Sequence, residues 1–112
     1  MEGKPASYDD VATSSDDVAL LAFTSGTTGR PKATMHFHRD VLPICDTFSR
    51  HVLRPSPDDV FTGTPPYAFT FGLGILLVFP WRFGGTAVTI EQPGPKPLLE
   101  AIQKYRVTNL AT

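Results

Sequence analysis

The residues best suited to chemistry form one string, Thr24-Ser25-Gly26-Thr27-Thr28-Gly29-Arg30-Pro31-Lys32. Glycine adopts positive φ at no steric cost, so Gly26 and Gly29 let the backbone turn successive N–H groups toward one point. A concavity of N–H groups binds anions, and the hydroxyls of Thr24, Ser25, Thr27 and Thr28 add donors. Lys32 brings a mobile point charge suited to phosphate oxygens. The combination is a phosphate cradle, but not a Walker loop. That motif places four residues between its glycines and ends in Gly-Lys-Ser/Thr. Here Thr27-Thr28 separate Gly26 from Gly29, Arg30-Pro31 separate Gly29 from Lys32, and Ala33 offers no hydroxyl to a magnesium ion. The same composition also describes a flexible surface turn. Arg30 reads as a solvated charge.

The elements around the string must hold it. Val18-Ala19-Leu20-Leu21-Ala22-Phe23 is a short apolar run that suits a buried strand, and it opens directly into the loop. Beyond the loop, Ala33, Met35 and Phe37 alternate with Thr34, His36 and His38, the pattern of a half-buried strand. The loop is therefore expected at the tip of a strand–loop–strand unit. Val41, Ile44, Cys45, Phe48 and Val52 recur at helical spacing, with Asp40 as the expected N-cap, Pro43 in the first turn and an end near Leu53 ahead of Pro55. A strand over Val60–Gly63, a helix over Phe71–Phe79, a strand over Thr86–Ile90, a helix over Lys96–Tyr105 and a strand beginning at Val107 follow. Leu73, Ile75, Leu76, Leu77, Val78 and Phe79 are expected in the core, and Trp81 is either buried or interfacial.

Strands separated by helices predict an α/β class, a layer of mainly parallel strands with intervening helices. Residues 1–17 are polar and irregular and read as a lead-in or linker. Residues 18–112 hold too few elements to cover a parallel sheet and manage its edges, so they are expected to be part of a larger domain, truncated at the C-terminus.

Composition narrows the partners. Of the 112 residues 41% are hydrophobic, which argues against disorder. Ten Lys+Arg against eleven Asp+Glu leave no field to hold nucleic acid or an anionic membrane, so neither is expected as a partner. The uncharged stretch Val60–Trp81 is interrupted by Pro65, Pro66 and Pro80, which argues against a membrane span. The single Cys45 excludes an internal disulfide and fits a reducing compartment. No secretory signal is visible near Met1. His36 and His38 lie two apart on the expected strand, yet no third ligand sits nearby in sequence, and His51 reads as a surface residue. No metal site is expected.

The unbroken string Phe23-Thr24-Ser25-Gly26-Thr27-Thr28-Gly29-Arg30-Pro31-Lys32 resembles the signature loop of the adenylate-forming superfamily, which includes acyl- and aryl-CoA ligases, peptide-synthetase adenylation domains and luciferases. Ala33 departs from it where many members have glycine. His38-Arg39-Asp40 resembles the segment that opens the family's next helix. Pro66-Tyr67-Ala68-Phe69-Thr70-Phe71-Gly72-Leu73 resembles its substrate-side segment, in the form found in aryl-CoA ligases of the benzoate and 2-aminobenzoate type. Many fatty-acyl members carry a histidine where this chain has Phe69. The similarity runs from Asp17 to Thr112.

The resemblance implies an ATP-dependent carboxylate–CoA ligase acting on an aromatic acid, with Mg2+ accompanying ATP, CoA as co-substrate and a cytoplasmic location. It implies that Thr24, Ser25, Gly26, Thr27, Thr28, Gly29 and Lys32 hold the ATP phosphates. His38 stands behind the site or at a helix start, and Phe69 and Tyr67 line the acid pocket or pack in the core. No residue is assigned as a general base or covalent nucleophile, which suits a reaction run on positioning and charge stabilisation. The family's adenine- and ribose-binding segments and its C-terminal domain have no counterpart in these residues, so the segment alone is expected to be inactive. A peptide-synthetase adenylation domain and a non-catalytic gene remnant fit the same residues.

Overall fold

The structure, a computed structural model, describes residues 3, 5, 7–24 and 29–112. β1 (Val18–Thr24) and β2 (Lys32–Phe37) pair as an antiparallel hairpin. Residues 25–31 join them, far fewer than the dozen or more that a parallel crossover needs. β3 (Val60–Gly63), β4 (Thr86–Ala87) and β5 (Asn109–Ala111) form the expected parallel sheet, in the order β4-β3-β5. The chain is thus α/β, with helices between parallel strands and one antiparallel hairpin ahead of them.

The hairpin turns its faces the opposite way from the alternation of its sequence. Leu20 stands opposite His36 and Ala22 opposite Thr34, so these four share a face, and it is the one directed at the rest of the chain. Met35 is exposed, as are Leu21 and Phe23. Cross-strand pairing with the apolar residues of β1 decides the orientation, which β2 by itself cannot show.

α1 (His38–Ile44) starts earlier than Asp40 as N-cap would have it. Phe37 is the N-cap, and Asp40 lies in the first turn, its carboxylate accepting the Phe37 N–H at 2.8 Å. The lead-in provides the reason. The carbonyls of Asp17 and Ser15 accept the N–H groups of His38 and Arg39, both at 3.1 Å, which satisfies two donors that a helix start leaves open. Arg39 also pairs with Asp16. Pro43 consequently falls inside α1 rather than in its first turn, and its missing N–H removes a rung from the helical ladder. The helix then widens into a π-helical segment, Cys45–Leu53, ending where expected at Arg54, whose φ is 51°.

The next helix is longer than the expected Phe71–Phe79. α2 (Thr70–Leu73) runs through a π-helical turn, Gly74–Val78, into α3 (Phe79–Phe83). Leu76 and Phe79 are buried; Leu73, Ile75, Leu77 and Val78 are half-buried, and Trp81 is exposed. β4 stops at Ala87, although the Val88 N–H still reaches the Phe61 carbonyl at 2.8 Å. α4 (Pro95–Tyr105) leads into β5.

The core is centred on β3. Phe61 and Thr62 are both 0% exposed, and consecutive strand residues point to opposite faces, so both faces of β3 are covered. Thr62 donates its hydroxyl to the Val88 carbonyl at 2.8 Å, which satisfies the one polar group this costs. Gly63 allows a close approach: a Cβ there would lie 2.2 Å from the Ala111 carbonyl oxygen of β5. Asp59 ties the start of β3 to β5, accepting from the Thr108 hydroxyl at 2.7 Å, Asn109 Nδ2 at 3.2 Å and the Ser56 N–H at 2.6 Å. The Thr108 hydroxyl, followed by the Ser56 N–H, holds its carboxyl below the usual range.

A second clip joins the π-helical segment to α3. Asp46 accepts two hydrogen bonds from Arg82, at 2.9 and 3.2 Å, and one from Arg50 at 2.7 Å. Arg82 first and Arg50 second lower its pKa from 3.8 to about 2. A depressed carboxyl pKa contributes stability that is full above 3.8 and lost as pH falls through about 2. Asp46→Asn is therefore expected to lower the melting temperature modestly at neutral pH, with the difference closing as pH falls through that window, so that its acid limb is flatter. Identical acid limbs in the two proteins would remove the clip from the account.

Candidate functional site

The loop hangs from the far end of the hairpin. Thr24 closes β1 opposite Lys32, the first residue of β2, so the two ends of the loop are neighbours across the ladder and both are exposed. Gly29 has φ 74°, the left-handed conformation that a side chain would oppose. Ser25, Gly26, Thr27 and Thr28 lie outside the described residues.

Between the hairpin and the helices lies a cleft of 320 Å³, within the roughly 300–1,000 Å³ usual for small-molecule sites. Its walls are apolar: Leu20 and Ala22 from β1, Val41 and Ile44 from α1, and Leu73, Val78 and Phe79 from the helix opposite. Thr24, Thr34, His36 and Thr70 are its polar groups. A smaller cleft of 140 Å³ adjoins it, bounded by Leu20–Phe23 on one side and Tyr67, Ala68, Phe69, Thr70 and Leu73 on the other. The turn that carries Tyr67 and Phe69 leaves the carboxyl end of β3 through Thr64-Pro65-Pro66. Open α/β sheets bind ligands beyond the carboxyl ends of their parallel strands.

The structure thus brings the base of the loop and the aromatic turn to one place. Thr24 lines the larger cleft, Tyr67 and Phe69 line the smaller, and Thr70 and Leu73 belong to both. Phe69 is 63% exposed, a cleft wall rather than core packing. Tyr67 donates its hydroxyl to the Leu76 carbonyl over a long 3.5 Å. Pro80 has no N–H for the helical ladder, which leaves carbonyls of the preceding turn open to such a partner. His38 is exposed at the start of α1 and belongs to neither cleft lining.

Thr34, His36 and Thr70 were not legible as cleft residues. Thr34 can donate to the Ala22 carbonyl at 3.4 Å, and His36 Nε2 then donates to the Thr34 oxygen at 3.1 Å. The cross-strand pairing of Thr34 with Ala22 is the signal that would have found them, and it requires knowing the hairpin register. Among the described residues, no three His, Cys, Asp or Glu side chains converge as a metal site would require. No helix among them is long and apolar enough to cross a membrane.

In this α/β chain Thr24, the last described residue on the β1 side of the loop, thus borders an apolar cleft. The family model described as AMP-binding enzyme matches residues 2–112, and the chain belongs to that family. It is 32% identical over 100 residues to the benzoate–CoA ligase of Thauera aromatica, covering 88% of this chain and 19% of that protein. It is 41% identical over 78 residues to a p-hydroxybenzoic acid–AMP ligase of Mycobacterium tuberculosis, covering 70% of this chain and 11% of that protein. Its fold matches the crystal structure of an anthranilate CoA ligase in complex with anthranoyl-AMP, with a TM-score of 0.81 and 27% identity, over 96% of this chain and 21% of that one. The chain spans about a fifth of the length of the CoA ligases it matches.

Proposed function

We propose that this chain is the phosphate-loop and acid-cleft part of an AMP-forming ligase that activates an aromatic carboxylic acid. In the first half-reaction a carboxylate oxygen attacks the α-phosphorus of ATP, and the bond to the bridging oxygen breaks, giving acyl-adenylate and pyrophosphate. In the second the CoA thiolate attacks the acyl carbon and AMP leaves. Thr24, Ser25, Gly26, Thr27, Thr28, Gly29 and Lys32 hold the phosphates and stabilise charge on the departing pyrophosphate. Magnesium enters with ATP as its substrate complex, consistent with its habit of binding through substrate phosphates. Tyr67 and Phe69 wall the acid, and His38 acts through the start of α1. A cytoplasmic location, where ATP and CoA are at hand, goes with this reading.

One observation carries it: Thr24 at the base of the loop and the Tyr67–Thr70 turn border adjoining apolar clefts. An aromatic acid placed there would have its ring among apolar walls and its carboxylate toward the loop.

Phe69 provides the test. Contacts between aromatic rings add roughly 0.5–1.5 kcal/mol beyond burial, about two- to tenfold in binding. Phe69→Ala in the full-length ligase is expected to lower the ratio of kcat/KM for benzoate-type acids over medium-chain fatty acids by about that factor. An unchanged ratio would take Phe69 out of the pocket.

The likeness to an enzyme named as an AMP ligase favours a second reading, adenylation without transfer to CoA. Product analysis separates the two: an aryl-CoA thioester formed when CoA is supplied supports the ligase, and accumulation of aryl-adenylate despite CoA supports the alternative.

A further inference from the structure

The turn that carries the aromatic walls is pressed against its own helix at one residue. A Cβ built on Gly72 would lie 2.2 Å from the Pro66 carbonyl oxygen, 2.7 Å from its carbon and 2.8 Å from the Pro65 carbonyl oxygen. All three are backbone atoms, so no side chain can swing aside to make room. The turn is fastened on either side of this contact. The Phe69 N–H donates to the Pro66 carbonyl at 3.1 Å, and the Leu73 N–H donates to the Phe69 carbonyl at 2.9 Å. The Tyr67 hydroxyl reaches on to Leu76. Gly74, two residues along the same helix, differs: a Cβ there meets only the end of the Phe79 ring, at 3.4 Å.

A glycine in a helix is less stabilising than alanine, and close approach of another backbone is a reason to keep one. We propose that Gly72 is a positioning residue for the acid: the absence of its side chain lets the Pro65-Pro66 backbone close onto the helix, and this closure sets Tyr67 and Phe69 at the distance that an aromatic ring requires. This rests on the proposed aryl-acid function and assigns the residue that shapes its pocket. Gly72 touches neither substrate nor phosphate; it acts through the turn.

The experiment uses the full-length protein. Aryl-acid-dependent ATP–pyrophosphate exchange by the unsubstituted enzyme comes first; its absence overturns the proposed function and this inference with it. Given that exchange, Gly72→Ala is expected to lower kcat/KM for the aryl acid by up to about tenfold, the loss expected on removing the Phe69 contact itself, with KM for ATP unchanged. In a Phe69→Ala background the same substitution is expected to add little further loss, because residues that act through one contact are not additive. Full additivity, or an unchanged kcat/KM for the aryl acid, overturns the positioning role and leaves the function standing. If Gly72→Ala does not accumulate as folded protein, Tyr67→Phe loosens the same turn without adding an atom. A loss that is non-additive with Phe69→Ala supports the inference, and an additive loss or none overturns it.

Discussion

Lys32→Ala in the full-length protein is expected to slow aryl-adenylate formation about 10²–10³-fold, the usual cost of removing one preorganised group from a site of developing charge. Lys32 is the first residue of β2, held opposite Thr24 by the hairpin, so its ammonium has a fixed root and a free end. In the proposed reaction charge grows on the pyrophosphate as the α-phosphorus bond breaks, where a compact mobile cation at the loop's foot would meet it. Lys32 lines neither cleft, so the Kd of the aromatic acid proposed to bind there, measured without turnover, is expected to stay constant. Arginine at the same position keeps the charge but changes the donor geometry, and Lys32→Arg is expected to recover only part of the rate. A rate of adenylation untouched by Lys32→Ala would remove the loop from the chemistry.

The second large effect is on stability. Phe61 is fully buried in the central strand, between β4 and β5, and its truncation leaves a void in a sheet covered on both faces. Phe61→Ala is expected to cost about 3–5 kcal/mol, the transfer loss plus the unfilled cavity. Phe61→Leu retains most of the volume and is expected to cost clearly less. Urea unfolding measures both as a fall in midpoint at constant slope. Equal midpoints for the alanine variant and the unsubstituted protein would mean that β3 is not the centre of the core. Because the turn proposed to wall the acid leaves the end of this strand, Phe61→Ala is also expected to weaken acid binding before it affects ATP.

Much of this fold is written locally. The apolar run from Val18, the stop at Pro55 and the helix expected over Lys96–Tyr105 place β1, the end of the first helix and α4 without reference to anything distant. What sequence reading missed depends on partners far along the chain. Asp40 has the chemistry of an N-cap, yet the carbonyls of Ser15 and Asp17 start the helix earlier. Met35 has the hydrophobicity of a core residue, yet the pairing of β2 with β1 turns it outward and puts Thr34 and His36 on the cleft. Pro80 looks like a helix terminator, yet the chain stays helical through it to Phe83. In the site, the ordered loop string and the aromatic turn were each legible. The meeting of Thr24 with that turn on adjoining clefts was not, because it depends on where the hairpin lies relative to residues more than forty positions along the chain.

The proposed role of the loop and the cleft together is to activate an aromatic acid. ATP–pyrophosphate exchange by the full-length protein, across a panel of benzoates and aliphatic acids, tests it most directly. Exchange is expected to depend on an aryl carboxylate, to fall with Lys32→Ala and to shift toward aliphatic acids with Phe69→Ala. Exchange that no aryl carboxylate supports, or that proceeds equally well with no acid present, would contradict it.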